Sequence, residues 1–148
     1  MGAKAQKQKG EDDLHIILTL DDGNGMMFNH RRQSRDRVLL TRLVALVGPS
    51  RLLMSPYTAG LFSGGLPAGA EAEEDFLQKA GEEDFCFVED ADLSPLSEQI
   101  GTVYVFRWNR VYPADRRLDL DLSGRHMAVE DEFPGSSHEK ITLERYDR

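Results

Sequence analysis

Four short apolar runs constrain the fold more than any other feature of the chain: Leu14–Leu20, Arg51–Met54, Phe85–Val88 and Thr102–Trp108. Each has the length of a strand, and turn residues close the first two, Asp21-Asp22-Gly23-Asn24-Gly25 and Ser55-Pro56. The intervals between them carry helical signals. Leu39, Leu40, Leu43, Val44, Leu46 and Val47 recur three and four residues apart until Gly48-Pro49, and Ser34 is the expected N-cap of that helix. Shorter helices are expected from Tyr57, over Asp75–Ala80 and over Leu93–Ile100, with a Gly/Pro/Ala-rich loop from Ser63 to Ala70. Strand and helix in alternation predict a mainly parallel sheet with helices on its faces, and the aromatic, β-branched content of Thr102–Trp108 predicts a central strand. Towards the end the period changes to two, over Leu118–Leu122 and Ile141–Tyr146, which predicts edge or antiparallel strands.

At 148 residues the chain is expected to form one domain over 14–148 without a disulfide or metal staple, preceded by a polar, disordered tail over 1–13. Cys86, the one cysteine, sits among Phe85, Phe87 and Val88 and reads as a packed thiol suited to a reducing cytoplasm. No apolar run is long enough to span a bilayer. A net charge of -8 disfavours unselective attraction to nucleic acid or to anionic lipid. That charge is unevenly spread: arginines 31, 32, 35, 37, 42 and 51 share their stretch with one acid, Asp36, whereas ten acids and the single base Lys79 fall between Glu71 and Asp92.

The candidate site is the loop after the first strand. Asn24, Asn29, His30, Arg31 and Arg32, with Asp36 beyond them, leave the carboxyl end of that strand and enter a helix whose N-terminal amides favour anions. A small anionic ligand or a protein partner is one expectation; pairing of the arginines with Asp21, Asp22 or the acidic stretch is the other. An alternative is a metal-free hydrolase or nuclease acting on a phosphate-bearing substrate, with His30 and a second histidine such as His138 as base and acid and the adjacent arginines stabilising charge. Asp21 and Asp22 with Asp119 and Asp121 could bind a divalent cation, but the second pair reads as the alternating acids of a solvated strand face, so no metal is expected.

Several strings resemble dihydrofolate reductase. Asn24-Gly25-Met26 followed by Phe28-Asn29 is similar to that family's Gly-Trp-Asn loop after its first strand. Met54-Ser55-Pro56-Tyr57-Thr58 resembles its Met-Gly-Arg-x-Thr segment, and Ser137 to Arg145 resembles its last strand. The resemblance implies a three-layer α/β sandwich with a mainly parallel sheet and an antiparallel C-terminal strand, and it places Asp36 nearest to the family's substrate-binding acid. The departures concern NADPH. The family's phosphate-holding Gly-Arg is Ser55-Pro56 here, its Gly-Gly is Glu89-Asp90, and the interval from Phe62 to Phe85 is too short for its remaining cofactor-binding strand and loops. The expectation is therefore a degenerate, non-catalytic module without a cofactor. A second resemblance, carried by Phe28–Arg37 and Arg107-Trp108-Asn109-Arg110, is to short bacterial proteins labelled ribonuclease Z, but the His-x-His-x-Asp-His cluster of that enzyme has no counterpart here.

Overall fold

β1 (Leu14–Leu20) lies at the middle of the sheet because both of its faces are apolar. Ile16, Leu18 and Leu20 join one core cluster and Ile17 joins the other, the period-two division of a strand covered on both sides. The computed structural model describes residues 14–148, and the segment read above as a tail lies outside the described residues. Parallel neighbours flank β1, with β6 (Phe85–Phe87) on one side and β7 (Ile100–Arg107) on the other. Beyond β6 lie β4 (Leu52–Met54) and β5 (Ala70–Ala72), also parallel; beyond β7 lie the antiparallel strands β10 (Ile141–Asp147) and β9 (His126–Phe133). The order is β5-β4-β6-β1-β7-β10-β9.

Helix α1 (Arg37–Val47) buries Leu39, Leu43 and Val47, one stripe at four-residue spacing, against Ile17, Phe87 and Phe106. Gly48, at φ 59°, ends it by returning its amide to the Val44 carbonyl. On the same side follows the single turn α2 (Pro56–Ala59), capped by Ser55. The opposite face is covered by α3 (Phe76–Lys79), by Leu93 and Leu96 around the 3-10 helix Ser94–Gln99, and by Leu120 and Leu122. Among the described residues no helix is long and apolar enough to cross a membrane.

Several local expectations are corrected. The loop after β1 is itself structured: β2 (Gly25–Phe28) pairs with β3 (Arg31–Arg32) and with β8 (Arg116–Arg117) in a small antiparallel sheet. Asn29 and His30, at φ 53° and 61°, form the two-residue turn between β2 and β3, the left-handed pair that a hairpin of this length requires. Asp36, not Ser34, caps α1, accepting from the amides of Val38 and Leu39. Leu118–Leu122 is not a strand. Its leucines reach the core from a loop, and Asp119 accepts from the amides of Leu93 and Ser94, which fixes the 3-10 turn. β5 and β9 were not foreseen; seven of the eight residues of β9 are exposed or half-buried, so no apolar alternation marks it.

Candidate functional site

The chain converges most tightly around Asp36. Its carboxylate is fully covered and takes hydrogen bonds from the amides of Val38, Leu39, Ser136 and Ser137 at 2.8–3.2 Å and from His138 Nδ1 at 3.1 Å. Burial pushes the carboxyl up, but the Ser136 and Ser137 amides, His138 and Leu39 outweigh it and hold it far below the ordinary carboxylate range. An anion at this N-cap also offsets the positive pole of α1, so the helix end expected to attract a ligand is filled from within. The 135–138 segment comes this close because residue 135 is glycine. A Cβ there would collide with the Asp36 carboxylate and lie 2.9 Å from Ile141 Cδ1.

His138 extends the network away from Asp36. Its Nε2 lies 2.8 Å from the Tyr112 hydroxyl and 3.3 Å from Ser34 Oγ. Trp108, at the end of β7, stacks on the imidazole with centroids 4.5 Å apart and planes 24° from parallel, so the ring is fixed in plane and in depth. Because Asp36 is ionised and can only accept, the proton between them sits on Nδ1, and Nε2 faces the two hydroxyls.

A second buried pair stands at the end of β6. The Glu89 side chain, 4% exposed, accepts from Arg32 Nε at 2.9 Å, Arg32 Nη2 at 3.0 Å and the Thr58 hydroxyl at 2.9 Å. The Arg32 guanidinium also covers the Tyr57 ring at 4.3 Å. A bidentate fork with one further donor is the arrangement that makes a buried carboxylate tolerable.

Between these two clusters opens a cleft of about 520 Å³, walled by α1 and the segment after α2. Leu40, Val44, Leu61 and Phe62 make it apolar, while Arg35 and Arg37 border it. Their guanidinium groups have no hydrogen-bond or ion-pair partner among the described residues. The volume of the cleft falls within the range of small-molecule sites. A recess of about 10 Å³, the room of one water, shares Arg35, Asp36, Leu40 and Leu61 with it and is also bordered by Thr19, Ser34, Glu89 and Trp108.

The structure disperses the residues singled out in the sequence. Asn24 lies half-buried with its carboxamide oxygen on the Arg107 guanidinium. Asn29 gives its amide to Asp115, and His30 is exposed on the hairpin turn near Asp90 and Arg116. Arg31 is exposed on β3, whereas Arg32 is committed to Glu89, an internal partner from the acidic stretch. Asp36 reaches the cleft wall with its carboxylate turned inward. His30 and His138 do not converge, since they border different cavities. Among the described residues no three His, Cys, Asp or Glu side chains gather as metal ligands. Asp21 spends its carboxylate on the amides of Gly23, Gly25 and Tyr112. Sequence reasoning missed the roles of Ser34, Tyr112 and Trp108 around His138. The one local signal was the run Ser136-Ser137-His138 following Pro134-Gly135.

No family model matches the sequence, and no curated protein matches it. Among solved structures, dihydrofolate reductase from Enterococcus faecalis complexed with NADP(H) and RAB-propyl is similar to it over 93% of this chain and 97% of that one, with a TM-score of 0.62 and 13% identity. The fold is that of dihydrofolate reductase. At this identity the likeness is one of architecture, and in that architecture the cleft of this chain runs along the first helix of the dihydrofolate reductase-like sheet, on the face that packs Ile17 and Phe106. None of these similarities supports the second resemblance, to chains labelled ribonuclease Z.

Proposed function

We propose that this chain is a dihydrofolate reductase-like module that binds a small ligand with an apolar body and an anionic group in the cleft along α1, without a nicotinamide cofactor. The observation that carries the reading is the pair Arg35 and Arg37, two guanidinium groups without partners among the described residues, bordering an apolar cleft. Arginine suits the task, because its planar fork meets a carboxylate or phosphate with two hydrogen bonds while its stem covers apolar surface.

NADPH does not fit the residues present. The positions that the resemblance assigns to its phosphates hold Pro56, which has no N–H and begins α2, and Glu89, whose buried carboxylate is locked to Arg32 and Thr58. Admitting a diphosphate beside Glu89 would set like charges together in a poorly solvated place, and breaking the Arg32 pair would strand a buried anion. The buried thiol of Cys86 is compatible with a reducing cytoplasm.

The test is a calorimetric titration of the full chain with NADPH and, separately, with naphthoic and benzenedicarboxylic acids. NADPH is expected to give no saturable heat. The aromatic acids are expected to bind to the wild type and to lose at least about tenfold in affinity to an Arg35→Ala/Arg37→Ala double variant, the effect of deleting a charged hydrogen bond. Saturable micromolar binding of NADPH, or aromatic-acid binding indifferent to both arginines, overturns the reading.

A further inference from the structure

We infer that β9 is an interface between two copies of this chain, which pair antiparallel along its outer edge about a two-fold axis at Ala128. The inference is independent of the cleft. β9 ends the seven-stranded order, so one side of its backbone pairs with β10 and the other meets no strand among the described residues. Met127 and Val129, two residues apart and therefore on one face, are 51% and 54% exposed. On that face Tyr146, the β10 partner of Met127, packs against the core that holds Leu120 and Leu122. A further strand laid along β9 continues this apolar layer.

A free edge is ordinarily guarded by charge or by a bulge. Here every acid of β9 already has a partner within the chain: Glu130 meets Arg145 at 2.7 Å, Glu132 meets Lys140 at 3.5 Å, and Asp131 meets Arg42. The register shift against Leu143 and Glu144 makes Glu130 the extra residue of a bulge, so regular pairing ends there. Both guards therefore lie in the carboxyl half of the strand. His126, Met127, Ala128 and Val129, all exposed, are left open.

The order of side chains selects a second copy as the occupant. With the axis at Ala128, Ala128 faces its own equivalent, Met127 faces Val129, and His126 faces Glu130, the last two pairs each occurring twice. Apolar groups then meet apolar groups and an imidazole donor meets a carboxylate. An axis at Val129 sets Met127 against Asp131, and an axis at Glu130 sets two carboxylates against each other, which is destabilising for residues directly opposite. Pairing over so short a stretch falls below the roughly 1,200 Å² of stable interfaces, so the dimer is a weak one with a Kd on the order of 100 μM.

The experiment combines sedimentation equilibrium of the full chain, from about 10 μM to about 1 mM, with disulfide trapping of Ala128→Cys in a Cys86→Ala background. We expect the mass to rise towards that of two chains with concentration. Val129→Lys should weaken association at least about tenfold at an unchanged unfolding midpoint, because its side chain is exposed in the single chain. Ala128→Cys should cross-link to itself, since opposed residues of antiparallel strands lie within disulfide reach. Met127→Cys and Val129→Cys should each fail to do so alone and cross-link when mixed. A monomeric mass at every concentration overturns the inference and leaves the edge to a different partner. A dimer unaffected by Val129→Lys, or self-linking of Met127→Cys as efficient as that of Ala128→Cys, overturns it equally. The wild-type masses and the Ala128→Cys trap remain decisive if Val129→Lys fails to fold.

Discussion

Asp36 shows how one side chain can carry three tasks, because it caps α1, fixes the 135–138 loop and orients His138. Its folded carboxyl lies below the unfolded value of about 3.9. The stability this shift supplies is therefore complete above the unfolded value and is lost as pH falls through the folded one. Urea midpoints of the wild type should be flat with respect to this group near neutrality and decline below about pH 4, with a shallower decline in Asp36→Asn. That variant should also be less stable at pH 7 by about 3 kcal/mol, the scale for removing one partner of a buried pair. Parallel pH curves for the two proteins would show that Asp36 is not the group responsible. Cys86 illustrates the opposite outcome at the same scale: burial, with a smaller contribution from Asp84, pushes its thiol up to about 12, and it acts as a packing atom.

At the scale of elements, α1 and the β2–β3 hairpin make contrasting claims. The helix has one buried stripe, so Leu43→Ala should cost roughly 2–5 kcal/mol in urea unfolding, since Leu43 is fully enclosed between α1 and the sheet. A null effect would mean that the stripe does not pack on Ile17 and Phe106 as described. The hairpin places His30 at φ 61°, a conformation in which a side chain costs energy and glycine costs none. His30→Gly should therefore leave stability unchanged or raise it by up to about 1 kcal/mol, and should leave anion binding in the cleft unaltered. Loss of that binding at full stability would return His30 to the site.

For the whole molecule, the decisive property is that two core clusters share one sheet. β1, β6 and β7 contribute side chains to both, so neither cluster can be lost while the other stands. Trp108, the only tryptophan, sits where β7, the cap of α1 and the loop before β10 meet. Its fluorescence and the far-ultraviolet dichroism of the sheet should accordingly change together in urea, within error of a single transition. Separate midpoints would divide the chain into two cooperative units and contradict the single domain expected over 14–148.

Local pattern along the chain settled one part of the fold. Continuous apolar runs marked β1, β4, β6 and β7, the four-residue stripe marked α1, and alternation marked the antiparallel β10; together these were enough for a dihydrofolate reductase-like sheet. The small sheet, β9 and the non-strand at Leu118–Leu122 were not legible, because a strand is decided by whether a partner edge is present, and an exposed edge strand needs no apolar face. The site depended on tertiary structure almost entirely. Asp36 was visible as an acid near the first helix, but its carboxylate is turned inward by amides about 100 residues away in the chain, and the same loop brings His138 to Ser34. Arg32 found its partner in the acidic stretch, while the guanidinium groups of Arg35 and Arg37 have none among the described residues. Charge along a chain records which groups exist; only the packing of β6 against α2 and of the 135–138 loop against α1 decides which are neutralised and which remain to meet a ligand.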